Sequence, residues 1–183
     1  MPQEIERKFL VTSDSWRTDA TGKPYCQGYI ATTAPGQSVR VRIAGDTAYL
    51  TIKGPTQGLS RAEFEYEIPL SDAKEMLETL CDRPFIEKIR YRLPIGSVVW
   101  EIDEFKGENA GLIVAEVELK EENQTFERPD WLGKEVSGET KYYNASLVSY
   151  PYANWRDVSL PKDSQTKTTS KTPQTKASQS KTP

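Results

Sequence analysis

The chain has 183 residues, a formal net charge of −3 and no histidine at all. That zero excludes Ser-His-Asp and Cys-His nucleophilic catalysis, a histidine general base and histidine-ligated zinc in one step. Catalysis by carboxylate, lysine, tyrosine or an oxygen-bound metal stays open, and a ligand set made of Asp and Glu oxygens favours Mg2+, Mn2+ or Ca2+.

In chain order, a first strand is expected over Glu4–Val11, where Glu4, Glu6 and Lys8 alternate with Ile5, Arg7 and Phe9. A period of two belongs to extended chain, whose successive side chains point to opposite faces. Further runs of this kind are Gln27–Thr32, Gln37–Ala44, Ala48–Lys53 and Glu63–Pro69. Turn residues separate them at Ala34-Pro-Gly36, Gly45-Asp46 and Gly54-Pro-Thr-Gln-Gly58. Ser71–Cys81 then reads as a helix, with Ser71 as N-cap, Asp72 in the first turn, and Ala73, Met76, Leu77, Leu80 and Cys81 at helical spacing. Three more strands follow at Ile86–Leu93, Val98–Phe105 and Ile113–Lys120, the first two joined by a tight turn at Gly96-Ser97. Arg128–Gly133 reads as a loop with a short helical turn, and a second helix is expected over Tyr143–Ser149, ended by Pro151. Eight strands with few crossover helices predict a mainly β (α+β) fold built on an antiparallel sheet or barrel.

The chain divides at 158. From Ser159 onward it consists of Ser, Thr, Lys, Gln and Pro, which bury nothing, so 159–183 is expected to be a disordered tail. Five lysines and one aspartate give that tail +4, leaving −7 for residues 1–158. An acidic ordered domain argues against nucleic-acid binding. Cys26 and Cys81 have no metal-like spacing and read as reduced thiols. With no leader-like start and no stretch of transmembrane length, a cytoplasmic protein without membrane contact is expected, as monomer or homodimer.

The alternation carries more than a strand assignment. Arg40 and Arg42 alternate with Val39, Val41 and Ile43; Glu63, Glu65 and Glu67 with Phe64, Tyr66 and Ile68; Lys88, Arg90 and Arg92 with Ile89, Tyr91 and Leu93. Glu101 and Asp103 alternate with Trp100 and Ile102, and Glu116 and Glu118 with Val117 and Leu119. A single such strand is well explained as charged side to water, apolar side to core. Here acidic and basic strands are segregated, and like charges stand about 6–7 Å apart along each. Stacked like charges repel unless a ligand of opposite sign lies among them. Carboxylate groups call for a divalent cation and Arg/Lys groups for an oxygen-rich anion. A polyanion bridged by metal satisfies both, so the charged faces are expected to line the lumen of a barrel.

In this order, Glu4-x-Glu6-x-Lys8, Gln27-Gly28-Tyr29, Arg40-x-Arg42, Lys53, Glu63-x-Glu65, Lys88-x-Arg90, Glu101-x-Asp103 and Glu116-x-Glu118 resemble the CYTH superfamily of triphosphate tunnel metalloenzymes. The closing pattern Pro129-Asp-Trp-Leu-Gly133, Glu135-Val136 and Tyr143-Asn-Ala145 is similar to its short bacterial members. The resemblance implies an eight-stranded antiparallel closed tunnel barrel with flanking helices. It implies that Lys8, Arg40, Arg42, Lys53, Lys88 and Arg90 hold phosphate oxygens. Glu4, Glu6, Glu63, Glu65, Asp103, Glu116 and Glu118 would bind or orient one or two Mg2+ or Mn2+ ions. Glu101 lies in the same series, and Arg92 would contact ligand or close a salt bridge at the rim. Tyr29 reads from its strand as a packing residue; the resemblance instead pairs it with Lys88 as a catalytic acid/base dyad.

The activity implied is metal-dependent hydrolysis of tripolyphosphate to pyrophosphate and phosphate. No GxxxxGK[ST] occurs, so the site is not a P-loop. Kept beside this are an organic-triphosphate enzyme (thiamine triphosphatase, nucleoside triphosphatase or class IV adenylate cyclase), a long-chain polyphosphatase, and a non-catalytic polyphosphate-binding module.

Overall fold

The computed structural model describes residues 3–31, 36–55 and 57–156. The expected boundary at 158 and the tail from 159 lie outside the described residues. Among the described residues nine strands form: β1 (Gln3–Val11), β2 (Gly22–Ile30), β3 (Ser38–Ala44), β4 (Thr47–Lys53), β5 (Ser60–Ile68), β6 (Ile86–Ile95), β7 (Val98–Phe105), β8 (Ile113–Glu118) and β9 (Leu132–Glu135). Neighbours in the sheet follow the order β5-β4-β3-β2-β6-β7-β8-β1-β9, and β5 also pairs with β1. The β5–β1 pairing closes an eight-stranded ring, all antiparallel, the barrel expected from the alternation. β1 makes this possible by dividing one edge: Gln3, Glu4 and Ile5 pair with β5, while Phe9 and Val11 pair with β9.

The tight connections follow their residues. Gly45 and Gly96 take φ of 62° and 59° as the first residue of two-residue hairpin loops, the position that turns of this hand reserve for glycine.

Some elements depart from expectation for identifiable reasons. β2 begins at Gly22 rather than Gln27, because Pro24 is harmless where it sits. Its carbonyl accepts from the Gly45 amide in the β3–β4 turn, and the β2–β3 ladder ends at Tyr25–Ala44, so the N–H that proline lacks falls beyond the last β3 pair. The stretch expected to hold a helical turn instead supplies β9, a strand too short to show a pattern and defined by its partner β1. Helix α1 runs Leu70–Thr79, and Pro69 occupies the cap position; Ser71 bonds to the Asp72 carboxylate instead of capping. Helix α2 (Asn144–Ser149) matches expectation. Pro151, read only as its terminator, also opens α3 (Tyr152–Arg156): the Asn154 amide donates to its carbonyl. Among the described residues no helix is long and apolar enough to cross a membrane.

Three apolar clusters support the wall. On one side Phe9, Trp100, Ile102, Ala115 and Val117 turn outward and are covered by Trp16, Leu119 and Trp131. Edge-on ring contacts of Trp100 with Phe9, Phe126 and Trp131 lock this layer at centroid distances of 5.5–5.6 Å. On another side Ala73 and Leu77 of α1 pack on Val41 and Ala48. Gly28 lets α1 approach, since a Cβ there would stand 2.7 Å from the Cys81 Cβ. The third cluster lies inside the barrel. Two residues beyond Lys8, Lys88, Asp103 and Glu116, the inward rows continue as Leu10, Ile86, Phe105 and Val114; Val136, Tyr142 and Leu147 pack on them. The last strand and the C-terminal helices thereby close one end of the lumen with apolar side chains.

Candidate active site in the barrel interior

Charged residues are almost never fully buried unless paired. Here Lys8, Arg40, Lys53, Lys88, Arg90, Asp103 and Glu116 are all buried, with Gln27 and Thr51 among them. The charged ones come from six of the eight barrel strands, Gln27 adds a seventh, and all share the inward parity of the strands. The register sets their neighbours: Lys8 faces Glu116, Glu6 faces Glu118, Arg90 faces Asp103, and Arg40 faces Thr51.

The first network spans β1, β6, β7 and β8. Arg90 holds Asp103 in a two-pronged pair, Nε to Oδ1 and Nη2 to Oδ2, both 2.6 Å, and reaches Glu116 at 2.7 Å and Glu101 through Nη1. Lys8 donates to Glu116 and lies 3.4 Å from Glu6. Lys88 donates to the same Asp103 oxygen that Arg90 occupies. Sharing leaves Lys88 under-compensated: burial and the neighbouring Arg90 pull its ammonium down to about 8, against the opposing pull of Asp103. For Asp103 and Glu116, burial works against charge, but Arg90 and Lys88 around the one and Lys8, Arg90 and Lys88 around the other keep both carboxyls below their ordinary range.

The second network spans β1, β3, β4 and β5. Lys53 contacts Glu4 at 2.9 Å and Glu63 at 3.1 Å, and Arg61 Nε donates to Glu4 at 2.7 Å. Burial opposes the Glu4 charge, yet Lys53 and its neighbours lower that carboxyl to about 2. Glu65 collects Arg42 at 2.8 Å, Arg40 at 3.2 Å and the Thr51 hydroxyl at 2.7 Å. The Nε atoms of Arg40 and Arg42 are buried with no hydrogen-bond partner among the described residues. Two buried guanidinium donors facing one another's charge are what a multi-oxygen anion would satisfy; burial and Arg40 indeed depress the Arg42 pKa.

Three carboxyls move the other way. Glu6 is raised by burial and by Glu116, Glu63 by burial and by its contact with Glu4, and Glu118 by burial, Glu4 and Glu101. Directly opposed carboxylates such as Glu6 and Glu118 repel. A divalent cation removes that repulsion, and Mg2+ is held by one or two carboxylates plus substrate phosphates rather than by an all-protein cage. The donor set fits that pattern: among the described residues no three acidic groups form a ready-made cluster, yet raised carboxyls line the mouth beside the phosphate-type cations.

Every residue expected at the site faces this interior or its rim, with Glu118 exposed and Arg92 at the opening, 3.2 Å from Glu101. Tyr29 and Lys88 are not hydrogen-bonded to each other. Lys88 is engaged with Asp103, while the Tyr29 hydroxyl accepts from Gln27 Nε2 at 2.9 Å. Burial raises the Tyr29 phenol, against the opposing pull of Arg40 and Lys8. Arg61 and Thr51 were not anticipated. Arg61 could have been found, since it stands two residues before Glu63 on the same strand face; Thr51 needed the Arg40 register.

Comparison with known proteins now meets this geometry. A CYTH domain family model matches residues 2–150. The chain is 50% identical over 157 residues to the inorganic triphosphatase of Acetivibrio thermocellus, covering 86% of this chain and 100% of that one. It is 36% identical over 149 residues to the inorganic triphosphatase of Nitrosomonas europaea, covering 79% and 96%. The crystal structure of the inorganic triphosphatase NE1496 superposes with a TM-score of 0.58 at 32% identity, covering 79% of this chain and 96% of that one. A closed barrel with inward charges and a match over nearly all the described residues lead to one conclusion: the chain belongs to the CYTH domain family.

Proposed function

We propose that the protein is a metal-dependent inorganic triphosphatase, hydrolysing tripolyphosphate to pyrophosphate and phosphate inside the barrel. The observation that carries this is the interior itself: buried Lys8, Arg40, Lys53, Lys88 and Arg90 interleaved with carboxylates in a closed ring of strands. Phosphoryl transfer asks a protein for positioning and charge stabilisation more than for covalent chemistry. Lys8, Arg40, Arg42, Lys53, Lys88 and Arg90 bind phosphate oxygens, and the buried, unpartnered Nε atoms of Arg40 and Arg42 are donors that such oxygens would satisfy. Glu4, Glu6, Glu63, Glu65, Asp103, Glu116 and Glu118 supply the oxygens for Mg2+ or Mn2+, with Glu6 and Glu118 the pair that gains most from a cation. When bound, such an ion withdraws charge from phosphate oxygens and lowers the pKa of a coordinated water.

The proton inventory falls on two groups. Lys88, near 8, can hold or release a proton close to neutrality, and Tyr29 keeps its phenol proton there. Beyond its apolar closure the lumen presents mainly charged groups to a ligand, which suits a chain that is phosphate throughout. The enzyme acts in the cytoplasm, in keeping with two free cysteines.

The test offers purified protein tripolyphosphate, pyrophosphate, ATP, thiamine triphosphate and long-chain polyphosphate, with Mg2+ or Mn2+, and resolves the products. Tripolyphosphate is expected to exceed ATP by at least about tenfold in kcat/KM, roughly 1.4 kcal/mol of transition-state binding. Equal or faster ATP turnover would replace the inorganic reading with the nucleotide one.

A further inference from the structure

Gln27 is fully buried, yet it is neither charged nor part of either ion-pair network. It stands on β2 directly between Arg42 of β3 and Ile86 of β6, where the charged interior meets the apolar closure. Its Nε2 donates to the Tyr29 hydroxyl at 2.9 Å, while its Oε1 is buried without a hydrogen-bond partner. A side chain kept here for packing alone would be apolar, as Ile86 beside it is. A buried amide with one end unmatched weakens a fold, so the matched end is where its use lies.

What that end does follows from hydrogen-bond direction. A phenol oxygen that accepts from an amide still carries its own hydrogen, which must point elsewhere. Arg40 faces Tyr29 across β2–β3, and Lys8 lies close enough to act on the phenol electrostatically; both are phosphate-type cations. Resting on the triphosphatase reading above, we infer that Gln27 is a positioning residue: its amide fixes the Tyr29 hydroxyl so that the phenol donates its hydrogen to a phosphate oxygen held by Arg40 and Lys8. No bond is made or broken by Gln27, and its whole effect passes through Tyr29.

Three changes in the full-length protein test this, each assayed with tripolyphosphate and Mg2+ and by thermal melting. Gln27→Met keeps the volume and removes the donor. Gln27→Glu replaces the donor by an acceptor that captures the phenol hydrogen. Tyr29→Phe removes the group through which Gln27 acts. Gln27→Met should lower kcat by about tenfold with KM nearly unchanged, and Gln27→Glu by more. In the Tyr29→Phe background either change at Gln27 should alter kcat by less than about twofold, the signature of two residues acting as one unit. Losses that persist undiminished without the Tyr29 hydroxyl would overturn the inference, as would variants with wild-type kcat. Loss of the folding transition in both Gln27 variants would assign the residue to the fold and overturn it too. A wild-type protein that fails to turn over tripolyphosphate sinks the functional reading itself; an active wild type with indifferent variants sinks only this one.

Discussion

Replacing Glu6 by Gln should separate stability from function, because the residue faces Glu118 across β1–β8 with Glu116 and Glu4 also acting on it. Burial and Glu116 raise its pKa above the ordinary 4.5, so the fold is less hospitable to the ionised carboxylate than the unfolded chain is. Lys8, at 3.4 Å, offsets part of that, but its main partner is Glu116 and it keeps that partner in the variant. Like charges directly opposed in a sheet destabilise by roughly 0.2–1 kcal/mol. Removing this one should therefore raise the metal-free melting temperature by up to about 4 °C in a domain of this size. The pH dependence follows from the direction of the shift. A raised carboxyl holds its proton more tightly in the fold, so its destabilisation is complete above the folded pKa and gone below the unfolded one. The advantage of Gln should be absent near pH 4, below the ordinary 4.5, and grow as the pH is raised toward about 8. Melting in a chelator across that range measures it. With Mg2+ and tripolyphosphate added, the same variant should lose about a hundredfold or more in turnover, and Mg2+ should no longer raise its melting temperature. A variant less stable than wild type at pH 8, or one with wild-type turnover and a wild-type response to metal, would refute the assignment of Glu6 as a repelling carboxylate awaiting a cation.

Leu147→Ala empties a fully buried position in the cluster that closes the barrel and should cost about 2–5 kcal/mol in urea unfolding. Gly28→Ala places a methyl 2.7 Å from the Cys81 Cβ and 3.0 Å from Leu77 Cδ2, so α1 must shift; a loss of about 1–3 kcal/mol is expected, measured the same way. Glu104, outside the lumen, is lowered to about 2 by its hydrogen bonds from Lys106 and Arg17. Its contribution is present above 4.5 and lost as pH falls toward 2, so Glu104→Gln should flatten the acid limb of the melting curve in that window and leave turnover at neutral pH unchanged.

The alternation of Glu4-x-Glu6-x-Lys8 and its successors told from sequence alone that strands carry charge on one face and apolar residues on the other. It could tell this because the strand period is local: neighbours two apart share a face whatever the rest of the chain does. The segregation of sign by strand went further and pointed the charges inward, since a solvated face has no need to stack like with like. Turns at Gly45 and Gly96 were legible for an equally local reason, the backbone angle only glycine takes easily.

Where the chain closes was not local. Glu4 through Val11 look like one strand, and only the folded ring shows that β1 splits its edge between β5 and β9, which is what shuts the barrel and makes a strand of Leu132–Glu135. Partner choice decided the chemistry as well. Lys88 and Lys8 are the same residue type, both buried on inward strand faces, yet Lys88 shares one aspartate oxygen with Arg90 and falls to about 8, while Glu116 and Glu6 hold Lys8 above its ordinary value. Gln27 shows the same limit from the other side, a motif residue whose use appears only when Tyr29 is seen to accept its amide. Composition and period determine which charges face one another's space; the register and closure of the sheet determine which of them remain uncompensated, because Coulomb energy depends on distances that no one-dimensional pattern contains.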